Sequence, residues 1–235
     1  MELRIRDAAK LFSVPENKIR QWIQDKGLPA QEVRGQYRLN RAEVLEWATE
    51  NQIPLSSEIF AEVKNGTTLP SLAAALEIGG IFHNVVASDR ESALRAVVKN
   101  LPLPEDADPE FLFEVLLARE SLGSTGIGDG IAIPHVRNPV VLHVNQPIVS
   151  LCFLDTPIDF GAIDGQPVFA LFGLISPTVR IHLHILSRLA FGLQDQGFKA
   201  AVKRKAPAAE ILNEARRVEA AIERPTVGNS AKRRQ

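Results

Sequence analysis

Apolar positions in the first fifty residues follow helical spacing, interrupted by one short alternating stretch. Residues 4–12 can form a short helix that buries Ala8, Ala9, Leu11 and Phe12. Ser13-Val-Pro15 turns the chain, and Pro15 suits the first turn of a second helix running through Lys26. That helix inserts Ile19, Trp22 and Ile23 at three- and four-residue spacing, and Lys18, Arg20 and Gln21 fall on or near its polar side. After Gly27-Leu-Pro29, residues 30–39 alternate about a turn at Arg34-Gly-Gln36, the pattern of a small hairpin. Residues 41–50 close the unit with another helix. The predicted order is helix, turn, helix, wing, helix.

Residues 51–57 and 65–70 carry turn chemistry, with a short apolar piece at 59–63 between them that can be helical; a hinge is expected here. From Asp89 onward, helical and extended patterns alternate. Helices are predicted at 89–100 and from Pro109 to about Ser121, the second capped by Asp108 and ended by Gly123. Strands are expected at 130–133, 140–144, 148–154 and 168–175. Further helices are expected at 178–193, 197–205 and 208–223. This alternation predicts an α/β domain with a mixed sheet and covering helices. Residues 224–235 are polar, basic and without apolar period, and are expected to be a disordered tail.

Composition narrows the function classes. No apolar run reaches the roughly 18 to 20 residues that span a bilayer, and residues 1–7 lack a secretory core, so a cytoplasmic protein without membrane insertion is expected. The single cysteine, Cys152, lies in an apolar run and reads as a buried thiol rather than part of a disulfide framework. A net charge of −1 gives no global attraction to nucleic acid or membrane. No cofactor motif and no metal cluster is visible.

The candidate chemistry concentrates in the run from Gly123 to His135. Gly123, Gly126, Gly128 and Gly130, with Ser124 and Thr125, form a flexible approach that lets main-chain N–H groups come close to an anion. Pro134 fixes the chain just before His135, whose imidazole is partly neutral at pH 7 and can take up and return a phosphoryl group. The glycine spacing is not that of a dinucleotide fingerprint, and no Lys-Ser/Thr ending of a nucleotide loop follows.

The stretch from Leu117 through Arg119 and Gly123 to His135, followed by His182-Leu-His184, resembles the IIA domain of the fructose/mannitol class of the bacterial phosphoenolpyruvate-dependent phosphotransferase system. Within that class it is most similar to the nitrogen-regulatory IIA proteins. The resemblance implies that His135 accepts a phosphoryl group from the histidine phosphocarrier HPr or its nitrogen-branch version. It further implies that Arg119 neighbours the phosphate and that His182 is the second active-site histidine, hydrogen-bonding phosphoryl oxygens or biasing the His135 tautomer. The position after the histidine is usually Gly, Ala or Cys in this family; Val136 departs from that and is expected to narrow the space beside the imidazole. His83 and His143 match nothing and are read as structural.

The run from Ile19 to Pro29, with the wing Val33 to Arg38, resembles the winged helix-turn-helix of the excisionase and MerR-like group. By that resemblance the second helix enters a major groove through Lys18, Arg20 and Gln21, and the wing offers Arg34, Gln36 and Arg38. Residues 1–50 carry nine Lys/Arg against eight Asp/Glu, so DNA binding would need a dimer or a partner protein. The expected organisation is a winged helix-turn-helix at 1–52, a linker at 53–69, an EIIA type-2 domain at 70–223 and a basic tail at 224–235. The expected function is a regulatory phosphoprotein whose phosphorylation state controls transcription. The alternatives are a conventional IIA carrier passing phosphate to a separate IIB permease domain, or a phosphorylation-dependent adaptor for kinases or transporters.

Overall fold

The chain is described by a computed structural model over residues 2–33, 36–51, 53, 54, 56, 69–105, 107–136 and 144–223. The N-terminal unit consists of β1 (Glu2–Arg4), α1 (Ile5–Leu11), α2 (Glu16–Asp25), β2 (Gln31–Val33), β3 (Gln36–Asn40) and α3 (Arg41–Glu50). Its three strands pair antiparallel in the order β1-β3-β2. Phe12, Trp22 and Trp47 fill the centre, with ring centroids 5.3 Å (Phe12–Trp22) and 5.5 Å (Trp22–Trp47) apart. The Trp47 indole donates to the Lys26 carbonyl at 3.0 Å, so this large ring is buried without stranding its N–H.

Two local expectations are corrected. Arg4, expected to open the first helix, instead ends a strand of residues 2–4 beside the wing, where Leu3 gains burial opposite Leu39; α1 starts after this extended Arg4, whose N–H is held by Asp7. Pro15 is also extended, with ψ 154°, and stands one residue before α2 rather than in its first turn. The helix ends at Asp25.

The larger unit begins with α4 (Leu72–Gly79) and β4 (Ile81–Val85), neither of which the apolar pattern had indicated. Then come α5 (Arg90–Asn100), α6 (Pro109–Ser121), β5 (Gly126–Gly128), β6 (Ile131–Ala132), β7 (Ile148–Ile158), β8 (Val168–Ile175), α7 (Val179–Gly192), α8 (Gln196–Lys203) and α9 (Ala208–Glu223). The strand expected at 140–144 falls, except for Val144, outside the described residues, as do the apolar piece at 59–63 and the C-terminal tail. Asp108 caps α6 and Pro109 opens it, as its sequence predicts.

The strands form one sheet in the order β4-β7-β8-β6-β5. β4 runs parallel to β7 and β6 parallel to β8, whereas β7/β8 and β5/β6 are antiparallel, so the sheet is mixed. Side chains alternate along β7. Val149, Leu151 and Phe153 face α4, α7, α8 and α9, while Ile148, Cys152 and Leu154 face α5 and α6. Coverage on both faces explains why β7 and β8 read as nearly continuous apolar runs. No helix among the described residues is long and apolar enough to cross a membrane.

Candidate functional site

Helix α3 is unusual in being buried all round: Val44, Leu45, Glu46, Trp47, Ala48 and Thr49 are all sequestered from solvent. A helix serving one core buries a stripe, so six consecutive buried positions require cover from two sides. On one side lie Phe12, Trp22 and Leu39 of the N-terminal unit. On the other lies α7, whose Ala190 and Leu183 join the same apolar cluster. The head therefore sits directly on the larger domain, and Glu46 faces His135.

His135 follows β6 and pairs as an isolated parallel bridge with Leu174 of β8, while the Pro134 carbonyl accepts from the Leu174 N–H at 3.0 Å. The imidazole is thus fixed beside β8 just beyond the end of β6, and His135 is 4% exposed. Its Nδ1 lies 2.7 Å from the Ile133 carbonyl. A carbonyl only accepts, so Nδ1 carries a proton, and in the neutral ring the lone pair lies on Nε2. The tautomer is set by the backbone rather than by His182. Nε2 points toward Glu46, with Oε1 at 3.8 Å.

His182 stands in the first turn of α7, its ring centroid 5.4 Å from that of His135. It is 1% exposed, and neither ring nitrogen has a hydrogen-bond partner among the described residues. Burial, reinforced by His135 and opposed by the Glu46 charge, pushes its pKa down to about 3, so the ring is neutral. The N-terminus of α7, capped by Thr178, adds a positive dipole end beside the two histidines. His184, two residues on, belongs elsewhere: its Nε2 lies 2.9 Å from Arg188 Nε and 3.1 Å from the Pro70 carbonyl, away from the His135 ring.

The glycine-rich arm has a structural logic. Arg119, buried in the last turn of α6, donates to the Gly123 carbonyl at 2.9 Å. Glu120 accepts from the Thr125 N–H at 2.9 Å and from its hydroxyl at 2.6 Å, and the Ser124 hydroxyl donates to the Phe160 carbonyl at 2.7 Å. Both hydroxyls are thus committed to holding the arm. Gly126, Gly128 and Gly130 belong to the β5–β6 hairpin; a Cβ on Gly126 would come within 2.7 Å of Ala162. Asp129 at the hairpin turn clasps Lys199 and Lys203 of α8. Val136 is buried among the residues facing α5 and α6, so its bulk is absorbed by the core.

In the head, Arg20, Gln21 and Gln36 are exposed, and Lys18 and Arg38 are half-buried, with Lys18 donating to Gln21 at 3.0 Å. Arg34 and His143 lie outside the described residues. His83 lies on β4, its ring 4.9 Å from that of Phe153. The sequence reading missed Glu46. The available signal was an α3 whose apolar positions 44, 45, 47 and 48 cover more of the helix than one core needs.

Glu46, His135 and His182 also form a cluster whose donor atoms lie within 4.8 Å of one another. Two imidazoles and a carboxylate suit zinc, but tetrahedral ligation with bonds of about 2.0–2.1 Å needs donor separations of roughly 3.4 Å. The separation of 3.8 Å between Glu46 Oε1 and His135 Nε2 is wider than that, and the arrangement sets the buried His135 nitrogen between a neutral imidazole and a carboxylate.

Comparison with known proteins gives concordant results. The family described as "Phosphoenolpyruvate-dependent sugar phosphotransferase system, EIIA 2" matches residues 75–216, and a helix-turn-helix domain family matches residues 2–52. A nitrogen regulatory protein of Pseudomonas aeruginosa is 41% identical over 124 residues, covering 52% of this chain and 76% of its own. The nitrogen regulatory protein of Escherichia coli K12 is 39% identical over 138 residues, covering 56% and 80%. Among solved structures, nitrogen regulatory protein IIA-Ntr from Neisseria meningitidis superposes with a TM-score of 0.52 at 28% identity, covering 59% of this chain and 94% of its own.

Proposed function

Because the chain belongs to the EIIA type 2 family of the phosphoenolpyruvate-dependent sugar phosphotransferase system, we propose that it is a regulatory phosphoprotein that accepts a phosphoryl group on His135 Nε2 from an HPr-type histidine phosphocarrier. The observation that carries this reading is the 2.7 Å contact of Nδ1 with the Ile133 carbonyl, which leaves the Nε2 lone pair as the nucleophile.

The bond from phosphorus to the donor's imidazole breaks as the bond to Nε2 forms. The donor ring leaves neutral, and the His135 ring takes up the positive charge. That charge is stabilised through Nδ1–H by the Ile133 carbonyl. His182, neutral and two-faced in hydrogen bonding, is positioned to donate to a phosphoryl oxygen. The α7 N-terminus favours the incoming dianion, and Arg119 anchors the glycine arm that shapes this face.

The helix-turn-helix head supports a role in transcriptional regulation, with α2 reading a major groove through Arg20, Gln21 and Lys18 and the wing contributing Gln36, Arg38 and Arg34. Incubation with enzyme I, an HPr-type carrier and labelled phosphoenolpyruvate is expected to label the wild-type chain and leave His135→Ala unlabelled. Equal labelling of the two would overturn the proposal.

A further inference from the structure

The phosphoacceptor face is covered by the chain's own head. His135 is 4% and Glu46 6% exposed, and α3 lies between the head core and α7. Nε2 faces the Glu46 carboxylate at 3.8 Å, about van der Waals separation. A phosphorus atom bonded to Nε2, carrying three oxygens, cannot fit in that gap. Nor can a donor protein approach Nε2 while α3 stands over it.

We propose that α3 is the resident occupant of the phosphoacceptor face and that Glu46 holds the place the phosphoryl group must take, so that head docking and His135 phosphorylation exclude one another. The inference rests on His135 being the phosphoacceptor. Docking withholds the nucleophile and lowers the competent fraction, which slows labelling in proportion. Phosphorylation in turn places roughly 1.5 to 2 negative charges against a buried carboxylate, which expels Glu46 and with it α3. By linkage each event disfavours the other by the same factor at equilibrium.

The geometry also says which surface the switch controls. The polar side of α2, with Arg20 and Gln21, is exposed while the head is docked. The DNA-facing helix is therefore available in the unphosphorylated state. Release newly exposes the α7-facing side of α3, with Glu46, Ala48 and Thr49, and frees the head to reorient or to pair with a second copy.

Two comparisons on the full chain test this. Glu46→Ala should take label from the HPr-type carrier about threefold faster or more than wild type, with Glu46→Gln between them, as expected when a closed fraction is opened. Independently of any donor, His135→Glu sets a second carboxylate against Glu46. It should raise amide hydrogen exchange across α3 while β7 and β8 stay protected, whereas His135→Ala should leave α3 protected. Equal initial labelling of wild type and Glu46→Ala, or unchanged α3 exchange in His135→Glu, would overturn the proposal. If no variant takes label, the phosphoacceptor reading fails, and the exchange comparison still decides whether α3 docking responds to charge at position 135.

Discussion

Helix α7 carries two buried histidines whose surroundings differ sharply, and the difference separates what holds this protein together from what it does. His184 sits in a satisfied network. Arg188 donates to it at 2.9 Å and to Glu219 at 3.0 Å, and the Glu219 carboxylate accepts from the Leu72 and Ala73 N–H groups that open α4. His182, half a turn away, has no hydrogen-bond partner among the described residues on either nitrogen and lies against His135. Buried polar atoms are almost always paired, so the His184 cluster reads as architecture and the His182 cluster as a site waiting for a partner.

The contrast can be broken first at Glu219. Glu219→Ala removes the buried carboxylate that Arg188 donates to and the acceptor of the Leu72 and Ala73 N–H groups. It should cost about 3–5 kcal/mol in denaturant unfolding, while the folded fraction still accepts phosphate on His135. At the other cluster the order reverses: His182→Ala should lower the transfer rate by about 10²-fold, with a smaller stability loss than Glu219→Ala. Labelling kinetics and urea melts on the same pair of variants check both. If His182→Ala destabilises more than Glu219→Ala while transferring normally, the contrast is wrong.

Acid sharpens the comparison less specifically. Burial pushes His182 down to about 3 and His184 down to about 4, the latter aided by the charge of Arg188 and opposed by the Pro70 carbonyl. Both folded-state values lie below the ordinary 6.5, so the unfolded chain binds more protons as the pH falls. The stability they contribute is complete above pH 6.5. It is lost on acidification toward pH 3–4, with a slope of up to about 1.4 kcal/mol per pH unit for each ring. Urea midpoints measured between pH 7 and 4 should fall accordingly, and less steeply in His184→Gln.

The smallest expected effect lies on the head. Arg20→Ala should reduce the dependence of log K on log salt for DNA binding by about 1, without changing fold or phosphorylation.

Much of this was legible in the residues, and the failures share a cause. Periodicity located α2, α3, α5, α6, α7 and α9 from apolar positions at helical spacing, and it located β7 and β8 as apolar runs of strand length. It missed α4, Leu72–Gly79, which is apolar nearly all round because it is pressed onto β7. Gly79 approaches so closely that a Cβ there would meet the Val149 carbonyl at 2.1 Å. β4 follows it and, among the described residues, pairs with β7 alone, along the sheet edge, and its Phe-His-Asn centre carries no alternation. His135 was legible because a run of glycines and a proline marks a presented side chain. Glu46 was not, because its importance arises from a contact between residues 89 positions apart that no local pattern encodes.

The burial of α3 on both sides also bears on the order in which the protein is made. The head leaves the ribosome well before α7 exists, and at roughly 5–20 residues per second that interval is on the order of ten seconds. During synthesis every copy therefore passes through a stage in which a folded head has nothing to dock against. A nascent chain samples the released state first, and docking can begin only once α7 has emerged.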